Sequence, residues 1–220
     1  MVSDMTDKDR ELNPTRKFFT LCIIIVVVLG TSCVSPNTTS DFDLRKFQVL
    51  PINTYYDEAH NIALGWDAGA YPSYVFATFA MPDDNDDTLL ISYGFRSHAV
   101  PSKWLMIVFS KIDPSNPKIT NGEYPAGVDR PLTQEIEIKN LSLDSLDILA
   151  IAYQNGGSDF LRDTKSINAD SFVELQQENE GLGTGPLVWK VAFLAGKKNG
   201  MYVTIDSLTG DVLDIKRVGN

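Results

Sequence analysis

Leu187-Val188-Trp189-Lys190-Val191-Ala192-Phe193, followed by Gly196-Lys197-Lys198-Asn199-Gly200 and then Met201-Tyr202-Val203-Thr204-Ile205-Asp206, decides the reading of this chain. A last run, Val212-Leu213-Asp214-Ile215, follows the turn Ser207-Leu208-Thr209-Gly210-Asp211. Aromatic and β-branched residues bounded by Gly, Asn and Asp are strand and turn chemistry. Leu187, Trp189, Val191 and Phe193 share one face at period two, and Lys190 falls on the other. The stretch predicts a three-stranded antiparallel meander with one buried face, and such a face needs a cover.

Upstream, Leu143, Leu146, Leu149, Ala150 and Tyr153 repeat at helical spacing and supply that cover. Asn140 or Ser142 can cap the helix, Asp144 and Asp147 suit its positive end, and Asn155-Gly156-Gly157 is expected to stop it. Earlier in the chain the same order recurs. Tyr56, Ala59, Ile62, Ala63 and Trp66 form a helical stripe, with Asn53 or Thr54 as cap and Gly65 and Gly69 about its end. Leu89, Ile91, Tyr93 and Phe95 then align with Leu187, Trp189, Val191 and Phe193. Trp104, Leu105 and Ile107 align with Tyr202, Val203 and Ile205. Only one gap, in the connection Gln176 to Gly185, separates the two alignments, and a surface loop tolerates such a change. The expected fold is therefore α+β, with two pseudo-repeated units, each a helix on a three-stranded antiparallel sheet. The units run 47–125 and 126–220. Phe47 to Leu50 is expected to add a short strand, Pro114 to Arg130 to be a long connection, and Gln134 to Ile138 to be an edge strand with Glu135 and Glu137 in water.

The first 46 residues read as an address. Arg16 and Lys17 precede an apolar run from Phe18 to Leu29, too short to cross a bilayer comfortably but right for a signal-peptide core. Gly30-Thr31-Ser32-Cys33 resembles a bacterial lipoprotein processing site, although a large aliphatic residue is usual where Gly30 stands. Residues 1–32 are then a lipoprotein-type signal, Cys33 the lipidated residue, and 33–46 a polar tether. Ordinary cleaved secretion and a retained membrane anchor are the competing readings. Cys22 lies within the apolar run and no cysteine follows Cys33, so the folded part must stand without a disulfide and offers no thiol nucleophile.

The chain has 220 residues and a formal net charge of -10, which argues against nucleic acid as a partner. Asp83, Asn85 and Asp87 have the spacing that opens a calcium loop, yet Thr88 and Gly94 stand where such a loop needs Gly and Glu. The run is expected to be a solvated turn. Only His60 and His98 could serve as an imidazole base. His60 is expected to pair with Asp57 on a helix surface, and His98 to sit in a hairpin turn. No nucleophile-elbow or His-Glu-x-x-His pattern occurs. Trp66, Trp104 and Trp189 fall on expected core faces, and Lys197-Lys198 in a solvated turn. No catalytic, metal or cofactor site is expected.

Trp189-Lys190-Val191-Ala192-Phe193, Tyr202-Val203-Thr204-Ile205-Asp206 and Thr209-Gly210-Asp211-Val212 together resemble the PepSY domain family, a cystatin-like helix-on-sheet module. The resemblance covers roughly Leu143 to Ile215, and Asp206, Thr209, Gly210 and Asp211 carry most of it. It implies an exported, non-catalytic module that binds a protein or peptide and is associated with protease regulation. The first unit lacks the turn motif and would be a degenerate copy. Read from the residues alone, that turn is structural: Gly210 permits a positive φ, and Asp206 or Thr209 can accept backbone N–H groups. The expected protein is thus a bacterial lipoprotein, membrane-anchored on the extracytoplasmic face. The alternative is an exported protein holding a small ligand in a cleft between the units.

Overall fold

Alternating apolar residues build one sheet, not two. The computed structural model describes residues 47–81, 89–124, 134–178 and 185–219. The signal, Cys33, the tether, the Asp83–Asp87 run and the expected 125/126 boundary lie outside them. The strands are β1 Gln48–Val49, β2 Ala70–Ala80, β3 Leu90–Ser97, β4 Lys103–Ser110, β5 Lys118–Glu123, β6 Phe172–Gln177, β7 Leu187–Ala195, β8 Asn199–Asp206 and β9 Val212–Val218. Their order across the sheet is β5-β4-β3-β2-β6-β7-β8-β9, with β1 paired to the end of β2. Every pairing is antiparallel.

The expected pair of three-stranded sheets is corrected in two ways. Each meander has four strands, and the meanders join edge to edge where β2 pairs with β6, from Tyr74↔Gln176 to Thr78↔Phe172. A three-stranded sheet would leave that edge bare, and pairing removes the open N–H and C=O row. β2, β5 and β6 are strands the sequence reading did not assign. β5 lies within the expected connection Pro114 to Arg130.

Helix α1, Tyr56–Trp66, forms as expected and buries Tyr56, Ala59 and Ala63. Neither Asn53 nor Thr54 caps it; Tyr55 occupies the cap position without a side-chain bond, and the Thr54 hydroxyl donates to the Pro51 carbonyl instead. The later helix differs more. It starts as α2, Ser145–Ala152, capped by Asp144 in a reciprocal box with Asp147, not by Asn140 or Ser142. The expected stop at Asn155-Gly156-Gly157 is where it ends: Asn155, at φ -98° and ψ 41°, and Gly156, at φ 116°, both leave helical geometry. Beyond this kink a separate helix, α3, Ser158–Thr164, follows α2. The buried residues of α2 are Ser145, Ile148, Leu149 and Ala152, so the inward face is rotated from the expected stripe.

α1 packs on β2 and β3, and α2 on β6 and β7. The core unites Tyr56, Ala59 and Ala63 with Val75, Ala77, Ile91, Tyr93 and Phe95, and Ile148, Leu149 and Ala152 with Val173, Leu175, Trp189, Val191 and Phe193. Gln134 to Ile138 is not an edge strand. Ile136 donates one backbone bond to the Pro72 carbonyl, and the chain then turns into a 3-10 segment, Ile138–Asn140. Its alternation instead serves to plug Ile136 and Ile138 into the core.

Candidate functional site

Period-two geometry gives the sheet a second face, and no described helix belongs to it. Tyr74 and Phe76 of β2, Trp104, Met106 and Val108 of β4, and Phe172, Glu174 and Gln176 of β6 are half-buried there, outside the core cluster. Across the seam the Phe76 and Phe172 rings lie 5.1 Å apart. The Tyr74 hydroxyl donates to Glu174 Oε2 at 3.2 Å, and Gln176 Nε2 donates to Glu174 Oε1 at 3.0 Å. Beside Phe76 a polar row crosses the middle of the face in register: Glu174 opposite Lys190, Lys190 opposite Thr204, and Thr204 opposite Asp214. Cross-strand neighbours of this kind stabilise a sheet. Half-buried aromatics among single charges also make the composition of a contact surface.

At the β4 end of this face lies a pocket of about 250 Å³, lined by Tyr74, Gly94, Arg96, Trp104, Met106 and Tyr124 among others. Arg96 is only 2% exposed. Its Nη2 donates to the Pro101 carbonyl at 2.9 Å and its Nη1 to the Tyr124 hydroxyl at 3.3 Å. The guanidinium also stands 4.8 Å from the centre of the Tyr124 ring, within cation–π range. Its Nε–H has no acceptor among the described residues. The sequence reading did not single out Arg96, although a lone cation inside the apolar run Leu89 to Ser97 is the signal that could have found it. Trp104 corrects another expectation, because it stands on this second face, outside the core cluster, and lines the pocket. Trp189 lies in the core, and Trp66 packs half-buried against it.

The other residues read from the sequence are spread apart. His60 stacks on Tyr56 at 5.5 Å and Phe95 at 6.3 Å, and Asp57 pairs not with it but with Lys139 Nζ at 2.6 Å. His98, in the β3–β4 connection, stacks on Tyr71 at 4.6 Å. Neither imidazole bonds to a carboxylate or hydroxyl among the described residues. No group of three or more His, Cys, Asp or Glu among them could hold a metal ion. Lys197 and Lys198 lie in the β7–β8 turn.

Asp206, Thr209, Gly210 and Asp211 close the β8–β9 turn. Asp206 Oδ1 accepts from the backbone N–H of Leu208 and of Thr209, each at 2.9 Å, and Thr209 Oγ1 accepts from Asp211 N–H at 3.2 Å. The bond from Thr209 first, and that from Leu208 second, hold the Asp206 carboxyl below the usual carboxylate range. Gly210 has φ 77°, and a Cβ there would meet Leu143 Cδ1 at 3.1 Å. The turn thus packs against the lead-in to α2.

No family model and no curated protein matches the chain. Among solved structures, a "putative lipoprotein" from Clostridium difficile 630 matches 74% of this chain and 91% of its own, at 12% identity and a TM-score of 0.47. Among the described residues no helix is long and apolar enough to cross a membrane.

Proposed function

We propose that this chain is an exported bacterial lipoprotein, anchored through Cys33, whose open sheet face binds a protein or peptide without catalysis. The observation that carries the binding reading is the row of half-buried aromatics, Tyr74, Phe76, Phe172 and Trp104, on a face that no described helix covers. Exposed apolar faces rimmed by polar groups are characteristic of contact sites. The charged leader, short apolar run and Cys33 support the anchor. In the same reading, β2–β5 and β6–β9 are copies of one unit, which the mirrored strand order and the placing of Ile91 and Trp189 on the second strand of each meander support. The PepSY-like turn at Asp206 to Asp211 keeps protease restraint as the first partner class to assay.

Two measurements test the proposal. Radiolabelled palmitate should mark wild type and not Cys33→Ala, and a soluble, unlabelled wild type would remove the anchor. A photo-crosslinker placed at Phe76 or Phe172 in native cells should capture one specific protein, where the same group at exposed Glu58 on α1 should not. Equal capture from both positions would remove the face as the binding surface.

A further inference from the structure

We propose that the Arg96 pocket is a receptor for a carboxylate carried on an apolar or aromatic framework. This deepens the binding reading of the same face by naming the chemistry one part of it recognises.

A guanidinium is always charged and carries five N–H donors. Arg96 is nearly wholly buried, yet among the described residues it has no carboxylate partner, and its two protein hydrogen bonds go to uncharged oxygens. Buried charges are normally paired, because a desolvated cation without a counter-charge is costly. The Nε–H and the second hydrogen on Nη2 form the edge of the guanidinium that binds a carboxylate side-on, and Nε is the atom left without an acceptor. A single cation matches a monoanion. Lys103, next to Trp104 on β4, does not line the pocket and is engaged by Glu123 at 3.2 Å, so among the described residues the site lacks the second charge a phosphate would favour.

The walls define the rest of the ligand. Trp104 lies across Gly122, where a Cβ would come within 2.5 Å of its Cζ2. Tyr74 likewise lies across Gly94, where a Cβ would stand 3.0 Å from Tyr74 Cβ. Two glycines therefore let aromatic side chains pack flat on the neighbouring backbone, which sets where the Trp104 and Tyr74 walls stand. At about 250 Å³ the pocket is smaller than the roughly 300–1,000 Å³ of a drug-sized site. It suits an aromatic acid, or a glutamate side chain with an apolar neighbour.

The test follows the Trp104 indole N–H by NMR in the purified full chain, assigned with Trp104→Phe. Benzoate should shift this signal saturably, and benzamide, its uncharged counterpart, should not. Arg96→Gln should weaken benzoate binding at least tenfold. Because that variant also loses the bonds to Pro101 and Tyr124, Met106→Glu provides a second arm: it sets a carboxylate in the same pocket and should block benzoate to the same extent while the protein still melts cooperatively. Two short peptides, alike except for Glu or Gln before a Phe, distinguish the sources. Binding of the Glu peptide alone assigns the carboxylate to a partner chain; binding of benzoate alone assigns it to a free acid. Equal shifts with benzoate and benzamide, or no shift with benzoate or the Glu peptide, would overturn the proposal. A partner crosslinked at Phe76 whose capture is unchanged in Arg96→Gln would leave the face reading standing and remove the carboxylate.

Discussion

Replacing Tyr93 by Phe tests how the helix-side core is held. Tyr93 is fully buried in β3, its ring between those of Tyr56 and Phe109. Its hydroxyl donates to the Ile52 carbonyl at 2.7 Å and accepts from Tyr55 N–H at 3.3 Å. One oxygen thus satisfies two backbone groups in the turn that launches α1. Tyr93→Phe keeps the ring and strands both groups. A buried group left unpaired costs about 1–3 kcal/mol. Tyr55 is only half-buried and its bond is long, so the carbonyl dominates. The expected loss is about 2 kcal/mol, or about 4–8 °C in Tm for a unit of this size. Urea unfolding should show a lower midpoint with an unchanged slope. The pH dependence gives a second readout. Burial, first of all, raises the Tyr93 phenol above its ordinary value. A raised phenol contributes stability that is whole below about pH 10 and lost as pH climbs past it, because the unfolded tyrosine ionises first. Wild type should lose stability above that pH more steeply than Tyr93→Phe; burial likewise raises Tyr56, so the variant retains a smaller loss. A variant within about 0.5 kcal/mol of wild type, with the same alkaline slope, would refute the reasoning.

Asp206→Ala should lower Tm at neutral pH by freeing the N–H groups of Leu208 and Thr209. Because the Asp206 carboxyl is depressed, its stabilisation is present above the ordinary carboxylate range and lost as pH falls through its folded value, so wild type and variant should converge in acid. Gly157→Ala should cost about 1–3 kcal/mol in chemical denaturation, since a Cβ there would meet Phe193 Cζ at 2.8 Å and the Ala152 carbonyl at 3.1 Å. Trp189→Ala should cost about 3–5 kcal/mol. Trp189→Phe should cost less, because among the described residues the buried indole Nε1 has no partner and its removal offsets part of the lost packing. Asp57→Asn should change stability by less than about 1 kcal/mol, since both ends of its pair with Lys139 are exposed.

Where burial is one-sided, the sequence announces it. The β7–β8 hairpin and α1 were legible because their apolar residues mark one face. β2 was not: Tyr71, Val75, Ala77, Thr78 and Phe79 are buried on both faces at the centre of the sheet, and an irregularity between Pro72 and Tyr74 shifts its phase. Gln134 to Ile138 failed in the opposite sense. Its alternation is real, but period two describes which way side chains point and not whether a neighbouring strand is there to bond. The glycines at 156 and 157 announce a stop because Gly commonly ends helices, and Gly156 does break the helix there; the second helix, Ser158–Thr164, is what went unread. At the candidate site, the hairpin alignment puts Trp104 on an expected core face, whereas Leu105 and Ile107, of the opposite parity, are the ones buried in the core. Arg96 could be found only by asking why a cation sits in an apolar strand.

Pairing of β2 with β6 brings together residues 100 positions apart, as in the Tyr74–Glu174 bond. During synthesis at about 5–20 residues per second, the first meander waits on the order of 5–20 seconds for the strand that completes it. Throughout that interval β2 offers a long, apolar, unpaired edge, the usual template for aggregation. Neither meander pairs that edge by itself, so Ala70–Ala80 stays bare until Phe172–Gln177 has arrived.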